Sequence, residues 1–275
     1  MAKPAATGTA GPLLREWRER RRLSQLDLAL EAGVSARHLS FLETGRSRPS
    51  AGMVVQLAET REVPLRDRNR LLLAAGHAPV YGQRALDEPE MDSVREAIDR
   101  VLAGHEPYPA VVVDRHWGMV SANRAAGILL QGVAEHLLEP PVNVLRVSLH
   151  PEGIAPRIAN LGEWRAHLLE RLGRQAVMSG DPALAALHEE LAAYPGGEPP
   201  AVHDLDAGEI ATPLRLRAGD SGGAELVFIS TITTFGTATD VTVSELAIES
   251  FFPADARTRA WIREASQSPG GWRAT

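Results

Sequence analysis

The hydrophobic positions between residues 12 and 75 recur every three to four residues and predict five short helices. Ser24 precedes the second helix, and Asp27 three residues later completes a capping-box pattern. Gly33 follows the last periodic residue of that helix, where a left-handed turn favours glycine. Ser35 stands at the N-cap position of the third helix. The pattern therefore predicts two capped helices joined by a tight glycine turn.

The pattern changes after residue 107, where segments that alternate or are rich in β-branched residues appear between helical ones. Strands are expected at 110–114, 119–123, 210–217 and 225–235, and helices between 142 and 193. Asn123 is suited to cap a helix. The segment 240–252 fits either a strand or a helix. The fold class expected is an all-α five-helix domain followed by an α+β domain with an antiparallel sheet.

Pro79, Gly82 and Pro89 interrupt the helical pattern at the point where the charge balance also changes. Residues 1–85 carry 14 basic and 8 acidic side chains, whereas the remaining residues carry 15 and 27. A basic part beside an acidic part suggests that only the basic part meets a polyanion. We divide the chain into a disordered tail at 1–11, a helical domain at 12–77, a linker at 78–89, a second folded domain at 90–256, and a helix end with a disordered tail at 257–275.

A helix, a glycine turn and a second capped helix make up a helix-turn-helix unit, whose second helix lies in the major groove of DNA. Arg37 at the start of this helix is expected to pair with guanine, and Ala36 to contact a thymine methyl group. Arginines in the following loop suit phosphate contacts. The residues predicted to face DNA are Gln25, Ser35, Ala36, Arg37, His38, Ser40, Arg46 and Arg48. The partner expected is a double-stranded DNA operator.

Residues 13–75 resemble the five-helix domain of the phage-repressor and XRE family of transcription regulators. The segments that carry this resemblance are Leu23-Ser24-Gln25, Ala32-Gly33-Val34-Ser35 and Leu42-Glu43-Thr44-Gly45-Arg46. The resemblance implies base-reading side chains at the start of the third helix, which here are Ala36 and Arg37. A glutamine pair is more usual at these positions, so the resemblance does not imply a particular operator sequence.

The chain between residues 13 and 255 resembles the MmyB-like transcription regulators, which join an XRE-type head to a PAS-like ligand-binding domain. The segments VVVDRHWGMVSANRAA, starting at Val111, and STITTFGTATDVTVSELAIESFFP, starting at Ser230, carry this resemblance. It implies an apolar pocket for a hydrophobic, fatty-acyl-like or similar, small-molecule effector. The candidates to line this pocket are Trp117, Trp164, Leu168, Phe228 and Ile232, with Arg165 as the candidate for a carboxylate head group. Ordinary core packing and a surface ion pair are the alternative interpretations.

The function expected is that of a sequence-specific DNA-binding regulator, dimeric because paired half-sites add specificity, and controlled by a hydrophobic effector. The alternative is a second domain that serves only for dimerisation or for binding a partner. Residues 219–223 read GDSGG, which matches the motif around the nucleophile of chymotrypsin-like proteases. Catalysis also needs a histidine and an aspartate placed beside Ser221, and His77 lies in the helical domain. The motif fits a hairpin turn, and we expect no enzyme.

The composition excludes several other classes of protein. The chain has no cysteine, which excludes disulfides, thiol catalysis and cysteine-ligated metals. The nine histidines show no metal-ligand spacing, and no phosphate-binding glycine motif is present, so neither a metal nor a cofactor is expected. No apolar run reaches the roughly 18 residues of a membrane span, and the first residues lack a signal-peptide pattern. We expect no membrane partner and a cytoplasmic location.

Overall fold

The structure is a computed structural model that describes residues 10–60, 63–197, 211–218 and 225–267. The chain divides into two compact units. Unit 1 comprises Met1–Glu90 together with Gly236–Ser244, and unit 2 comprises Met91–Phe235 together with Glu245–Thr275. Within the described residues, no helix has both the length and the apolar character that crossing a membrane requires.

Five helices form most of unit 1, as the hydrophobic pattern predicts. They are α1 (Ala10–Arg20), α2 (Gln25–Glu31), α3 (Ala36–Glu43), α4 (Ala51–Glu59) and α5 (Leu65–Ala74). Ser24 caps α2 in a complete capping box with Asp27, and Ser35 caps α3. Gly33 between the two helices has a φ of 64°. The prediction of two capped helices joined by a glycine turn is confirmed.

The five helices share one apolar core, to which Trp17, Leu39 and Leu72 contribute buried side chains. α1 packs so closely against α3 that a Cβ atom at Gly11 would lie only 2.5 Å from the carbonyl oxygen of Leu42. Real Cβ atoms do not come so near to backbone oxygen. The glycine therefore permits the packing of α1 against α3.

The segment 78–89 is part of this folded unit rather than a free linker. The side chain of Asn69 donates a hydrogen bond to the backbone oxygen of Tyr81 over 2.8 Å. The backbone nitrogen of Val241 donates to the oxygen of Gly82 over 2.7 Å. These two hydrogen bonds connect the segment 78–89 to α5 and to the segment before α12 within unit 1.

Unit 2 contains a five-stranded antiparallel sheet in the order β2-β1-β5-β4-β3. The strands are β1 (Ala110–Val113), β2 (Met119–Ala122), β3 (Leu214–Arg217), β4 (Glu225–Thr234) and β5 (Ala247–Pro253). The α+β prediction is confirmed. The ambiguous segment 240–252 contains both a short helix and a strand.

The remaining helices are α6 (Asp92–His105), α7 (Gly127–Leu130), α8 (Glu135–Leu138), α9 (Val144–Leu149), α10 (Leu161–Ser179), α11 (Pro182–Ala193), α12 (Val241–Ser244) and α13 (Ala256–Gln267). α12 belongs to unit 1 and the others to unit 2. α13 is anchored within unit 2. Ile262 is fully buried, and the hydroxyl of Thr258 accepts a hydrogen bond from the backbone of Val227 over 2.9 Å.

Candidate DNA interface and ligand cavity

Apart from Gln25, the first residue of α2, the residues predicted to face DNA lie at the N-cap of α3, on α3 and in the loop that follows it. Arg37, Arg46 and Arg48 are exposed, and Ala36, His38 and Ser40 are half-buried. The hydroxyl of Ser35 accepts a hydrogen bond from the backbone nitrogen of His38 over 3.1 Å. The opening turn of α3 thus presents a capped helix start with one exposed guanidinium, and the loop adds two more.

Phe41 lies between two of these arginines and was absent from the sequence-based set. The guanidinium carbon of Arg37 is 5.5 Å from the centre of the Phe41 ring, and that of Arg46 is 5.9 Å away. Such cation–π contacts restrict where the two guanidiniums lie. The spacing of four residues between Arg37 and Phe41 on one helix was the signal that could have found this contact.

The side chain of Gln25 forms a hydrogen bond within unit 1. Its amide nitrogen donates to the Glu43 carboxylate over 2.7 Å. Glu43 also accepts two hydrogen bonds from Arg18, of 2.7 Å from Nε and 3.0 Å from Nη2. The hydrogen bonds to Glu43 raise the pKa of Arg18. We expected Gln25 to reach phosphate or brace a base-reading side chain, and the structure places its amide nitrogen in a buried network.

Unit 2 contains a partly open cavity of about 60 Å³ between the sheet and helices α7, α9 and α10. Its walls are largely apolar, and Val111, Leu145 and Phe251 are typical lining residues. Apolar walls with a small number of polar groups are characteristic of small-molecule sites.

Two of the six residues predicted for the pocket, Trp164 and Leu168, line this cavity. Trp117 is buried but lies behind the wall, beside Arg171. Phe228 is fully buried in the core, and Ile232 is 42% exposed, beyond the part of β4 that pairs with β3. Arg165 is not among the residues that line the cavity, and its Nη2 atom donates to the backbone oxygen of Ala192.

The polar residues in the cavity wall are Ser148, Arg171 and Glu249, and sequence reasoning missed all three. Arg171 Nη1 lies 3.4 Å from Glu249 Oε1. Glu249 is almost completely buried, and this burial raises the pKa of its carboxyl group despite the nearby guanidinium. The side chains come from α10 and β5, which are 78 residues apart in the chain. Helical periodicity and strand alternation act over a few residues and do not predict a contact between residues so far apart.

Two other groups of residues have side chains that are common in metal or catalytic sites. His136, His150 and Glu152 place their ligand atoms within 4.8 Å of one another. The Nδ1 atom of His150 accepts a hydrogen bond from the backbone of Glu152 over 3.0 Å. The neutral ring then carries its proton on Nε2 and offers no lone pair there for a metal. The GDSGG motif at 219–223 lies outside the described residues, and His77 Nε2 is 2.9 Å from the backbone oxygen of Pro49.

Comparison with protein families gives two matches that follow the two units. Residues 14–67 match a family model described as helix-turn-helix. Residues 94–265 match a family model described as the ligand binding domain of MmyB-like transcription regulators. A search of curated proteins found no match.

Proposed function

This chain belongs to the family of MmyB-like transcription regulators, and on that premise we propose that it binds a specific operator under the control of a hydrophobic small molecule. The two matched regions make it a DNA-binding transcription regulator with a ligand-binding domain. The observation that carries the proposal is the surface formed by α3 and the loop after it, where the exposed Arg37 and Arg46 flank Phe41.

The two arginines are proposed to read different parts of DNA. Arg37 lies in the first turn of α3, the part of a recognition helix that contacts base edges, and its guanidinium suits the two acceptors of guanine. Arg46 lies in the loop after α3, where a cation contacts phosphate and positions the unit. Base contacts supply specificity and phosphate contacts supply salt-dependent affinity.

Replacing Arg37 by alanine is expected to weaken binding to the correct operator by about 1–3 kcal/mol and to relax the preference at one base pair. Arg46→Ala is expected to weaken binding to operator and random duplexes by similar factors, and to reduce the salt slope by about one. Fluorescence anisotropy with both duplexes at several salt concentrations measures these quantities.

Arg70→Ala is the matched control, because Arg70 is an exposed arginine of unit 1 on α5, paired with Asp67. Its affinity and salt slope should equal those of the wild type. Identical behaviour of Arg37→Ala and Arg46→Ala on the two duplexes would contradict the division of roles.

The effector is proposed to be hydrophobic because the cavity walls are apolar. The volume of about 60 Å³ sets a size limit, since an engineered apolar cavity of about 150 Å³ is known to hold benzene. Because the cavity has less than half that volume, its walls must move apart for any organic effector, and by less for a compact molecule than for a long fatty-acyl chain. The effector is proposed to favour one arrangement of a dimer and so to change operator affinity.

Native mass spectrometry of the full chain, with denaturing extraction of bound compounds, is expected to show a dimer with one small hydrophobic compound per subunit. The apolar walls explain why such a compound is retained through purification in an aqueous buffer. A dimer without any bound compound, and without binding when hydrophobic compounds are added, would favour a second domain that serves only for dimerisation.

A further inference from the structure

The connection between β4 and β5 is much longer than these two strands need. β4 ends at Thr234 and β5 begins at Ala247, and these two residues pair with each other in the sheet. Paired neighbouring strands are usually joined by roughly two to five residues. Here the connection is the segment 235–246, and its residues 236–244 fold as part of unit 1. The chain thus leaves unit 2 after β4 and returns to it before β5, and we call residues 236–244 the strap.

The strap is anchored to the chain that follows α5. The backbone nitrogen of Val241 donates to the oxygen of Gly82 over 2.7 Å. The hydroxyl of Thr242 donates to the backbone oxygen of Arg84 over 2.6 Å. The Arg84 Nη1 atom in turn donates to Asp240 Oδ2 over 3.1 Å, and Asp240 is buried. Two backbone oxygens and one ion pair therefore hold the strap in place.

The anchor continues into the core of unit 1. Val241 is fully buried, and α12, which it begins, packs against α5. Asn69 on α5 accepts a hydrogen bond from the backbone of Tyr81 over 3.2 Å and donates one to its oxygen over 2.8 Å. Leu72 of α5 lies in the same apolar core as Trp17 of α1 and the buried residues of α3. Contacts within unit 1 thus connect the strap to the core that supports α3.

The strap is followed directly by a strand that forms part of the cavity wall. It ends at Ser244, and β5 begins three residues later. Glu249 and Phe251 on β5 line the cavity. β5 lies between β1 and β4 in the sheet, so its backbone is paired on both edges. A rigid element of this kind passes a displacement of its residues along the chain.

We propose that the strap is the element through which a change in the cavity wall of unit 2 reaches α5 and the core of unit 1. The proposal rests on the proposed effector function and adds the route of regulation. The strap is held by β4 and β5 at its ends and by Asp240, Val241 and Thr242 in its middle. A shift of β5 therefore pulls on the anchor and changes how firmly the chain after α5 is held. Flexible residues at the two ends of the strap remove this coupling, because they take up the shift.

Hydrogen exchange of the full chain with Trp164→Ala provides the test. Trp164 lines the cavity, and indole is the probe because it is the ring that the substitution removes. Peptides from α10 and β5 report the response of unit 2, and peptides covering α5 and residues 78–85 report the response of unit 1. Indole is expected to slow exchange in both sets of peptides by about threefold or more.

A slack strap separates this route from any other. Gly-Ser-Gly-Ser is inserted between Phe235 and Gly236 and again between Ser244 and Glu245, which leaves the anchor residues unchanged. Indole is expected to slow exchange in α10 and β5 as before, and to leave the unit 1 peptides without a response. The matched control carries the same insertion between the exposed residues Glu88 and Pro89, on the direct connection to α6, and is expected to keep the response of unit 1.

Asp240→Ala tests the anchor without any insertion. It removes the ion pair with Arg84 and the acceptor for the backbone nitrogen of Thr242. Exchange of the unit 1 peptides is expected to become faster by about threefold or more in the absence of indole, and their response to indole is expected to disappear. Asp92→Ala, at an exposed aspartate that pairs with Arg95 on α6, is the control and is expected to behave like its parent.

The outcomes distinguish the strap from the broader proposal. Slower exchange in α10 and β5 without any response in unit 1, or a full response of unit 1 with the slack strap, overturns the strap and leaves effector binding in place. If indole changes neither set of peptides, the result counts against the proposed effector function. The strap is then decided by comparing Trp164→Ala with the wild type. The substitution is expected to speed exchange in the unit 1 peptides with the normal strap but not with the slack one, and equal effects with both would overturn the proposal.

Discussion

Replacing Glu43 by alanine is expected to lower the free energy of unfolding of unit 1 by about 3–5 kcal/mol, because it leaves a buried guanidinium without its counter-charge. The side chains of Arg18 and Glu43 are only 10% and 1% exposed. Arg18 also donates to the backbone oxygen of Leu23 over 2.7 Å, so it cannot turn towards solvent without breaking a second hydrogen bond. Gln25 loses an acceptor at the same time.

Hydrogen exchange of the full chain, followed through peptides from α1 and α3, measures this loss within unit 1. Glu16→Ala is the control, because Glu16 is half exposed and pairs with Arg20 on the same helix. The control is expected to change stability by less than about 1 kcal/mol. The double variant Arg18→Met with Glu43→Leu is expected to recover most of the stability, since a packed apolar pair replaces the ion pair.

Operator binding should follow the same order as stability. α3 carries both Glu43 at its end and Arg37 at its start, so loosening the end of this helix moves the residues that read DNA. A loss of less than 1 kcal/mol in Glu43→Ala would show that Arg18 finds solvent or another acceptor. The network would then contribute little to the position of α3.

Unit 1 was predictable from the sequence because its signals are local. Ser24, Asp27, Gly33 and Ser35 act within three or four residues of their own positions, and caps and turns are decided at that range. The contacts that hold α3 in place are not local. Glu43 and Arg18 are 25 residues apart, and sequence alone does not report which buried charges meet.

The cavity was predictable only in part for a related reason. Alternation on β4 correctly places Phe228 on a buried face, and Ile232 has the same parity along the strand. Alternation predicts on which face of a strand a residue lies, but it does not predict whether other residues pack over that face at that position. Ile232 lies in the part of β4 that pairs with β5 but not with β3, and it is exposed.

Helical periodicity found Trp164 and Leu168 but not Arg171, although all three lie on α10. From the sequence alone, an arginine at the edge of an apolar helix face is predicted to be exposed to solvent, because buried arginine is rare. The buried position of Arg171 is explained by its ion pair with Glu249 on β5, which only the folded structure shows. A polar interruption of the buried face of a long helix was the signal to follow.

Replacing Trp164 by alanine is expected to destabilise unit 2 by about 3–5 kcal/mol, which is typical for removing a buried tryptophan. The Trp164 side chain is almost fully buried, and its indole nitrogen donates to the hydroxyl of Ser148 over 3.0 Å. Both the packing and this hydrogen bond are lost. Hydrogen exchange of peptides from α9 and α10 measures the change, and Val177→Ala, at an exposed position of the same helix, should stay within about 0.5 kcal/mol of the wild type.

Binding of added indole to Trp164→Ala distinguishes a gap that stays open to the cavity from a gap that the surrounding side chains fill. Because Trp164 lines the cavity, its removal opens a space continuous with about 60 Å³ that already exists, and added indole is expected to bind there and restore part of the lost stability by mass action. The wild type should gain less, because its own indole occupies that space. If the surrounding side chains instead collapse into the gap, indole will have no effect on either protein. Restoration in Trp164→Ala beyond the wild-type gain would show that the wall of the cavity determines which ligands fit.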